Sequence, residues 1–158
     1  MKILGIDPGT TRIGYGLINS QTLKAIDFGL LDIQAKSNHQ KLFDLEYEYK
    51  KILESLRPDL VAIENIYFSK NQKTAIAVAE ARGVLKITSL KAGLRVVEYG
   101  PKEVKLAVTN YGLSDKKAVY KMICKILGLK EIKGPDDVAD ALAIATTAAL
   151  RYKIDSLS

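Results

Sequence analysis

The 158 residues predict one α/β domain, residues 1–158, on a five-stranded mixed sheet flanked by helices on both faces. Three observations lead there. Three strand-like runs come first and close together, so they pair as an antiparallel meander. Two later strand-like runs each follow a segment of helical period, and a helical crossover implies parallel pairing. The length buries a core without a disulfide or metal to staple it.

The first strand is Lys2 to Asp7, an apolar run that ends in a carboxylate. Pro8-Gly9-Thr10-Thr11 turns the chain, and Ile13 to Asn19, with Gly14 and Gly16, forms the second strand. Asn19-Ser20-Gln21 supplies a hairpin turn into a third strand over Leu23 to Ile33. Leu42, Leu45, Tyr49, Ile52, Leu53 and Leu56 then recur with helical period; Arg57-Pro58-Asp59 stops that helix and feeds a short strand, Leu60 to Glu64. A long helix over Lys73 to Lys91 precedes a strand from Leu94 to Glu98. A short helix from Pro101 and a helix from Ser114 to Leu127, closed by Gly128, come next. The last helix starts near Gly134-Pro135-Asp136. A meander followed by helix-separated strands is the order of the ribonuclease H-like fold.

Composition narrows the function classes. Apolar residues make up 47% of the chain, and no apolar stretch approaches the roughly 18 residues of a membrane span. The opening Met1 to Asp7 carries an acid where a signal peptide keeps its apolar stretch, so a cytoplasmic protein is expected. The single cysteine, Cys124, precludes an intramolecular disulfide and sits in an amphipathic helix as a core residue. Lone His39 precedes the first helix and reads as a surface residue. A net charge of +6 favours a polyanionic partner.

The acids carry the chemistry. Asp7 ends the first strand and Glu64 ends a strand expected to run parallel beside it, so both emerge at one sheet edge. Asp137 and Asp140 are three apart, within a turn on one helix face. Helix capping and dipole compensation account for one acid at that helix start, but not for Asp140, which precedes the apolar Ala141-Leu142-Ala143-Ile144-Ala145 and should be partly buried. Four converging acids repel one another unless divalent metal joins them. Oxygen-only ligation favours Mg²⁺ or Mn²⁺ over zinc. One or two such ions would serve an in-line phosphodiester displacement.

Four segments together carry a resemblance: Gly5-Ile6-Asp7-Pro8-Gly9-Thr10, Ala62-Ile63-Glu64-Asn65, Ala79-Glu80-Ala81-Arg82-Gly83-Val84, and Asp137-Val138-Ala139-Asp140-Ala141-Leu142-Ala143-Ile144-Ala145. In order and spacing the chain resembles the RuvC family of Holliday-junction resolvases, from residue 2 to about residue 150. That resemblance implies a ribonuclease H-like homodimer that makes paired symmetric nicks in a four-way DNA junction, using Mg²⁺, during recombination and repair. It also implies cooperation with the RuvA and RuvB branch-migration proteins. Asp7, Glu64, Asp137 and Asp140 take the family's four catalytic, metal-binding positions. Asp136 is a fifth acid, and a pair of Asp136 with Asp140 is conceivable; Asp137 is preferred because it opens the family's Asp-x-x-Asp-Ala-Leu-Ala pattern.

The remaining candidates sort by pattern. Lys117, Lys121 and Lys125 recur opposite apolar residues and read as a solvated helix face. Lys116 differs, because a cation in the first turn opposes the helix dipole and needs another motive. The resemblance places it and Lys105 beside the scissile backbone, where lysines hold phosphates and stabilise developing charge. Lys70, Lys73, Arg82, Lys102, Lys130 and Lys133 are further phosphate-contact candidates. Tyr67 matches the position where the family stacks an aromatic on unpaired bases, and Phe68 takes it if the loop shifts by one. The alternative for both is a helix staple. Ala75, Ala79 and Gly83 form a narrow face on the long helix, which packs on the sheet or, as the resemblance implies, forms the dimer interface.

Rival functions share parts of this pattern. Asp7-Pro8-Gly9-Thr10-Thr11 also looks like the first phosphate motif of the actin, Hsp70 and sugar-kinase ATPases, but those need two such domains and a second Gly-rich loop. Another ribonuclease H-like nuclease, acting on RNA or hybrid duplexes, would share the sheet and the acids. An inactive junction-binding module would not be expected to retain four acids.

Overall fold

Ile3, Leu4 and Ile6 are fully buried because β1 (Lys2–Asp7) is the central strand of a sheet covered on both faces. The computed structural model describes residues 1–65 and 72–155. Its strand order is β3-β2-β1-β4-β5, with β2 (Arg12–Asn19), β3 (Lys24–Asp32), β4 (Leu60–Glu64) and β5 (Arg95–Tyr99). β1, β2 and β3 pair antiparallel, whereas β4 runs parallel to both β1 and β5, as the crossovers required.

Side-chain parity assigns each residue to a face. Leu4, Ile6, Ile13, Leu17, Val61 and Ile63 point to the side packed by α1 (Asn38–Leu56) and α2 (Gln72–Lys91). Ile3, Ile18, Leu60 and Ala62 point to the side covered by α3 (Pro101–Thr109), α4 (Lys116–Leu127) and α5 (Asp136–Asp155). The same alternation carries Gly5, Asp7 and Glu64 to the α5 side.

The depth at which α5 sits follows from glycines. A Cβ on Gly5 would stand 2.1 Å from the carbonyl oxygen of Ala141, one on Gly14 would stand 1.9 Å from that of Asp137, and one on Gly16 would stand 2.7 Å from Leu142 Cδ2. No side chain fits those gaps, so the helix backbone rests directly on β1 and β2.

Element ends depart from the sequence reading by a residue or two, for local reasons. Leu23 adopts a left-handed φ of 51° in the turn, so β3 starts at Lys24. Asn19 Oδ1 accepts from the amides of Gln21 (2.9 Å) and Thr22 (3.2 Å) and closes that turn. Asp115, not Ser114, caps α4, accepting from Ala118 N at 2.8 Å, and Ser114 is buried instead. Cys124 lies in the core, His39 is exposed, and Lys117, Lys121 and Lys125 line a solvated face. No helix among the described residues is long and apolar enough to cross a membrane.

Candidate active site

Asp7 and Glu64 leave the sheet side by side. Ile6 pairs with Ile63 in the parallel register, each acid is the next residue along its strand, and both face α5. Asp7 also pairs with Gly14 across the antiparallel register, and the backbone of Asp137 fills the space over Gly14. The glycine therefore seats the start of α5 beside Asp7. Asp140 follows one turn on. Asp7, Glu64 and Asp140 line a cleft of about 390 Å³ with Lys105, Lys116 and an apolar floor that includes Val104 and Val119.

The acids feel one another. Burial, followed by the charges of Glu64, Asp140 and Asp137, pushes the Asp7 carboxyl up to about 8 against the opposing pull of Lys116. Glu64 is raised to about 7, first by burial and then by Asp140, with Lys116 and Lys105 pulling it down. Asp140 is raised by burial, while Lys116 opposes the shift. A cleft that leaves buried carboxylates part-protonated near neutrality is short of positive charge. Among the described residues, no three His, Cys, Asp or Glu side chains stand in metal-holding geometry.

Lys116 answers the question its position raised. It opens α4 against the dipole, and its Nζ lies 3.3 Å from Asp140 Oδ2, an ion pair whose partners stay 70% and 36% exposed. Asp140, more than any other group, raises the lysine. Lys105 reaches the same cleft from α3. A hydroxyl hub links those two helices: Thr109 Oγ1 donates to the Lys105 carbonyl (2.8 Å) and lies 2.6 Å from Ser114 Oγ, just before the cap of α4.

The other predicted residues distribute unevenly. Asp137 does not line the cleft; its Oδ2 lies 3.9 Å from Arg12 Nη2. Asp136 is exposed and its charge raises Lys116 and Asp140, whereas the charge of Asp137 bears on both Asp7 and Asp140. Arg82 is largely buried, donating to the Glu64 carbonyl and to Glu98. Lys102, Lys130 and Lys133 are exposed outside the cleft. Tyr67, Phe68 and Lys70 lie outside the described residues, as does the side chain of Lys73. Ala79 and Gly83 are exposed on α2 and Ala75 is half-buried. Sequence reasoning missed Arg12, whose only local signal is a cation beside the turn after Asp7, and the seating role of Gly14, which read as an ordinary strand glycine.

The chain matches known proteins over nearly its whole length. A family model described as crossover junction endodeoxyribonuclease RuvC matches residues 3–148. The crossover junction endodeoxyribonuclease RuvC of Syntrophomonas wolfei is 45% identical over 159 residues, covering 99% of this chain and 92% of that one. The Thermus thermophilus RuvC structure superposes with a TM-score of 0.88 at 30% identity, covering 98% of this chain and 97% of that one. The same Thermus protein in complex with a Holliday junction substrate gives a TM-score of 0.87 at 30% identity over 98% and 96% of the two chains. With its ribonuclease H-like sheet, its clustered acids and these full-length matches, the chain belongs to the RuvC family of crossover junction endodeoxyribonucleases.

Proposed function

We propose that this protein resolves four-way (Holliday) DNA junctions by paired symmetric nicks that depend on a divalent metal. The observation that carries the reading is one cleft combining the carboxylates of Asp7, Glu64 and Asp140 with the cations of Lys105 and Lys116. A relative at 30% identity has been solved with a Holliday junction substrate, which supports the choice of DNA. An all-oxygen donor set and a deficit of positive charge fit Mg²⁺, with Mn²⁺ as substitute.

Asp7, Glu64, Asp137 and Asp140 would hold one or two ions. Bound there, divalent metal supplies an activated water and neutralises charge at the scissile phosphate. Lys116 transfers from Asp140 to a phosphate oxygen when the strand enters, and Lys105 grips the strand from α3. The apolar floor keeps bulk water from the reacting group. Water adds to phosphorus as the bond to the 3′ oxygen breaks, leaving a 5′-phosphate and a 3′-hydroxyl that a ligase can rejoin. Tyr67 stacks on an opened base beside the cut, with Phe68 as the alternative. Lys70, Lys73, Lys102, Lys130 and Lys133 contact phosphates along the arms.

A two-fold junction calls for two identical clefts, and α2 offers the surface to pair them. An added Cβ on Gly83 would meet nothing within 4 Å, so its smallness serves no contact within the described chain. Ile76 and Leu90 stand 63% and 54% exposed on the same helix. Family membership supports RuvA and RuvB as partners and a cytoplasmic location.

The test uses the purified protein with a mobile four-way junction and with an RNA–DNA hybrid, each in Mg²⁺, Mn²⁺ and EDTA. The expected result is symmetric, ligatable nicks in the junction with either metal and none in EDTA. Cleavage of the hybrid with an intact junction would reassign the site to a different ribonuclease H-like activity.

A further inference from the structure

We propose that Arg82 is a positioning residue for Glu64, a strut from α2 to the strand ends that bound one side of the cleft. This rests on the reading of Glu64 as a cleft carboxylate. In the sequence Arg82 is one basic residue among 24. In the fold its side chain is only 17% exposed. Its Nε donates to the backbone carbonyl of Glu64 at 3.2 Å, and its Nη2 donates to Glu98 Oε1. Glu98 pairs with Ile63 in the parallel register, so it flanks the end of β4. Lys86 Nζ lies 2.7 Å from the same Glu98 oxygen and holds that carboxylate from the next turn of α2.

A guanidinium presents donors in fixed, different directions, which lets one side chain hold a carbonyl and a carboxylate together. The carbonyl it holds belongs to Glu64 itself. Glu64 is the last residue of β4, where a strand loses its ladder and its backbone gains freedom. Asn65 N still donates to the Tyr99 carbonyl at 2.8 Å, which fixes one side of that peptide. Arg82 fixes it on the other side and so sets the direction in which the Glu64 carboxylate enters the cleft. Asp7 needs no such strut, because α5 rests on β1 directly. With a carboxylate and a carbonyl as partners, Arg82 is committed to the fold rather than free to grip DNA.

Arg82→Lys separates the two roles. It keeps a cation able to hold phosphate, but a single ammonium cannot reproduce the two-directional fork. We expect Arg82→Lys and Glu98→Gln each to lower the single-turnover cleavage rate of a four-way junction, at saturating protein, by about 10-fold or more. Junction Kd should change less than about twofold, with the same slope against salt. Mn²⁺ binding to the DNA-free protein, followed by paramagnetic resonance, should weaken in both variants.

That last readout needs no cleavage, so it decides the strut even if the wild-type protein leaves every junction uncut and the proposed function falls. Wild-type rate and Mn²⁺ affinity in Arg82→Lys, with weaker binding and a shallower salt slope in Arg82→Gln, would make Arg82 a phosphate contact and overturn the proposal. A rate loss that vanishes well below the variant's melting temperature would make the effect one of stability and overturn it equally.

Discussion

Two 20-residue helices, α5 and α2, lie on opposite faces of the sheet and put small residues to opposite uses. On α5, Ala141 and Ala145 meet the backbone of β1 at Gly5, and the glycines beneath are so tightly covered that no Cβ fits. On α2, the glycine itself, Gly83, stands in open space, flanked by exposed apolar residues. Close packing within the chain has already fixed one helix. The other has a surface that nothing among the described residues covers. The function proposed above would divide the labour accordingly, with the α5 side completing the cleft within one chain and the α2 side pairing two chains.

The largest effects should come from the α5 side. Asp7→Asn and Asp140→Asn remove a carboxylate without adding bulk, so metal-dependent nicking should fall more than about 100-fold, beyond the cost of losing a supporting residue. Junction binding by gel shift should hold. Nicking at the wild-type rate in either variant would separate the carboxylates from the chemistry. Asp136→Asn should keep most activity and Asp137→Asn should not; the reverse would move the fourth ligand by one position.

Gly14→Ala is the sharper test of seating. Its Cβ would collide with the Asp137 carbonyl at 1.9 Å, so α5 must lift. A loss of about 2–3 kcal/mol in denaturant unfolding is expected, with cleavage lost as well, because Asp137 and Asp140 move together away from Asp7. Full activity would mean that the depth of α5 does not set the site.

The acids predict a pH effect in metal-free protein. Asp7 has an ordinary value of 3.8 when unfolded and is raised to about 8 in the fold. Between those values the folded state holds a proton that the unfolded chain has lost, so the group's contribution to stability is complete below 3.8 and disappears as pH rises through about 8. Glu64, raised to about 7, acts in the same direction. In EDTA the melting temperature should fall from pH 5 to pH 9, and Asp7→Asn should flatten that decline. An unchanged slope in the variant would show that Asp7 does not carry the proton. Substitution of the exposed Ile76 or Leu90 on α2 should leave the slope unchanged.

The smallest effect is expected at Gly83. Gly83→Ala meets nothing within the described chain, so it should stabilise the monomer by about 0.5–1 kcal/mol through helix propensity. If α2 pairs closely with a second copy, the dimer should weaken at the same time, and Ala79 replaced by a bulky residue should weaken it further. A dimer by light scattering unaffected by both changes would place the interface elsewhere.

Much of this was legible before any coordinates. Apolar runs bounded by turn residues located all five strands, and helical period with stop signals located the helices, because those signals are carried by neighbours in the chain. Boundaries slipped where a side chain found a distant use: Ser114, expected to open α4, turned its hydroxyl to Thr109 and left the cap to Asp115. Lys116 was marked as anomalous by its place against the dipole, yet its partner Asp140 is 24 residues away and no local pattern names it. The acidic partners of Arg82 and Arg12, Glu98 and Asp137, are likewise remote in the chain and named by no local pattern.

The order of elements, the placement of carboxylates at their ends and the alternation of faces along each strand are local properties, since backbone geometry and side-chain alternation act over a few residues. How deeply α5 sinks onto Gly5, Gly14 and Gly16, and which carboxylates share a field, is settled by the assembled fold. The same assembly pairs Arg82 and Lys116 inward. Those outcomes depend on contacts between segments far apart in the chain, where the space one residue leaves is meaningful only once another element fills it.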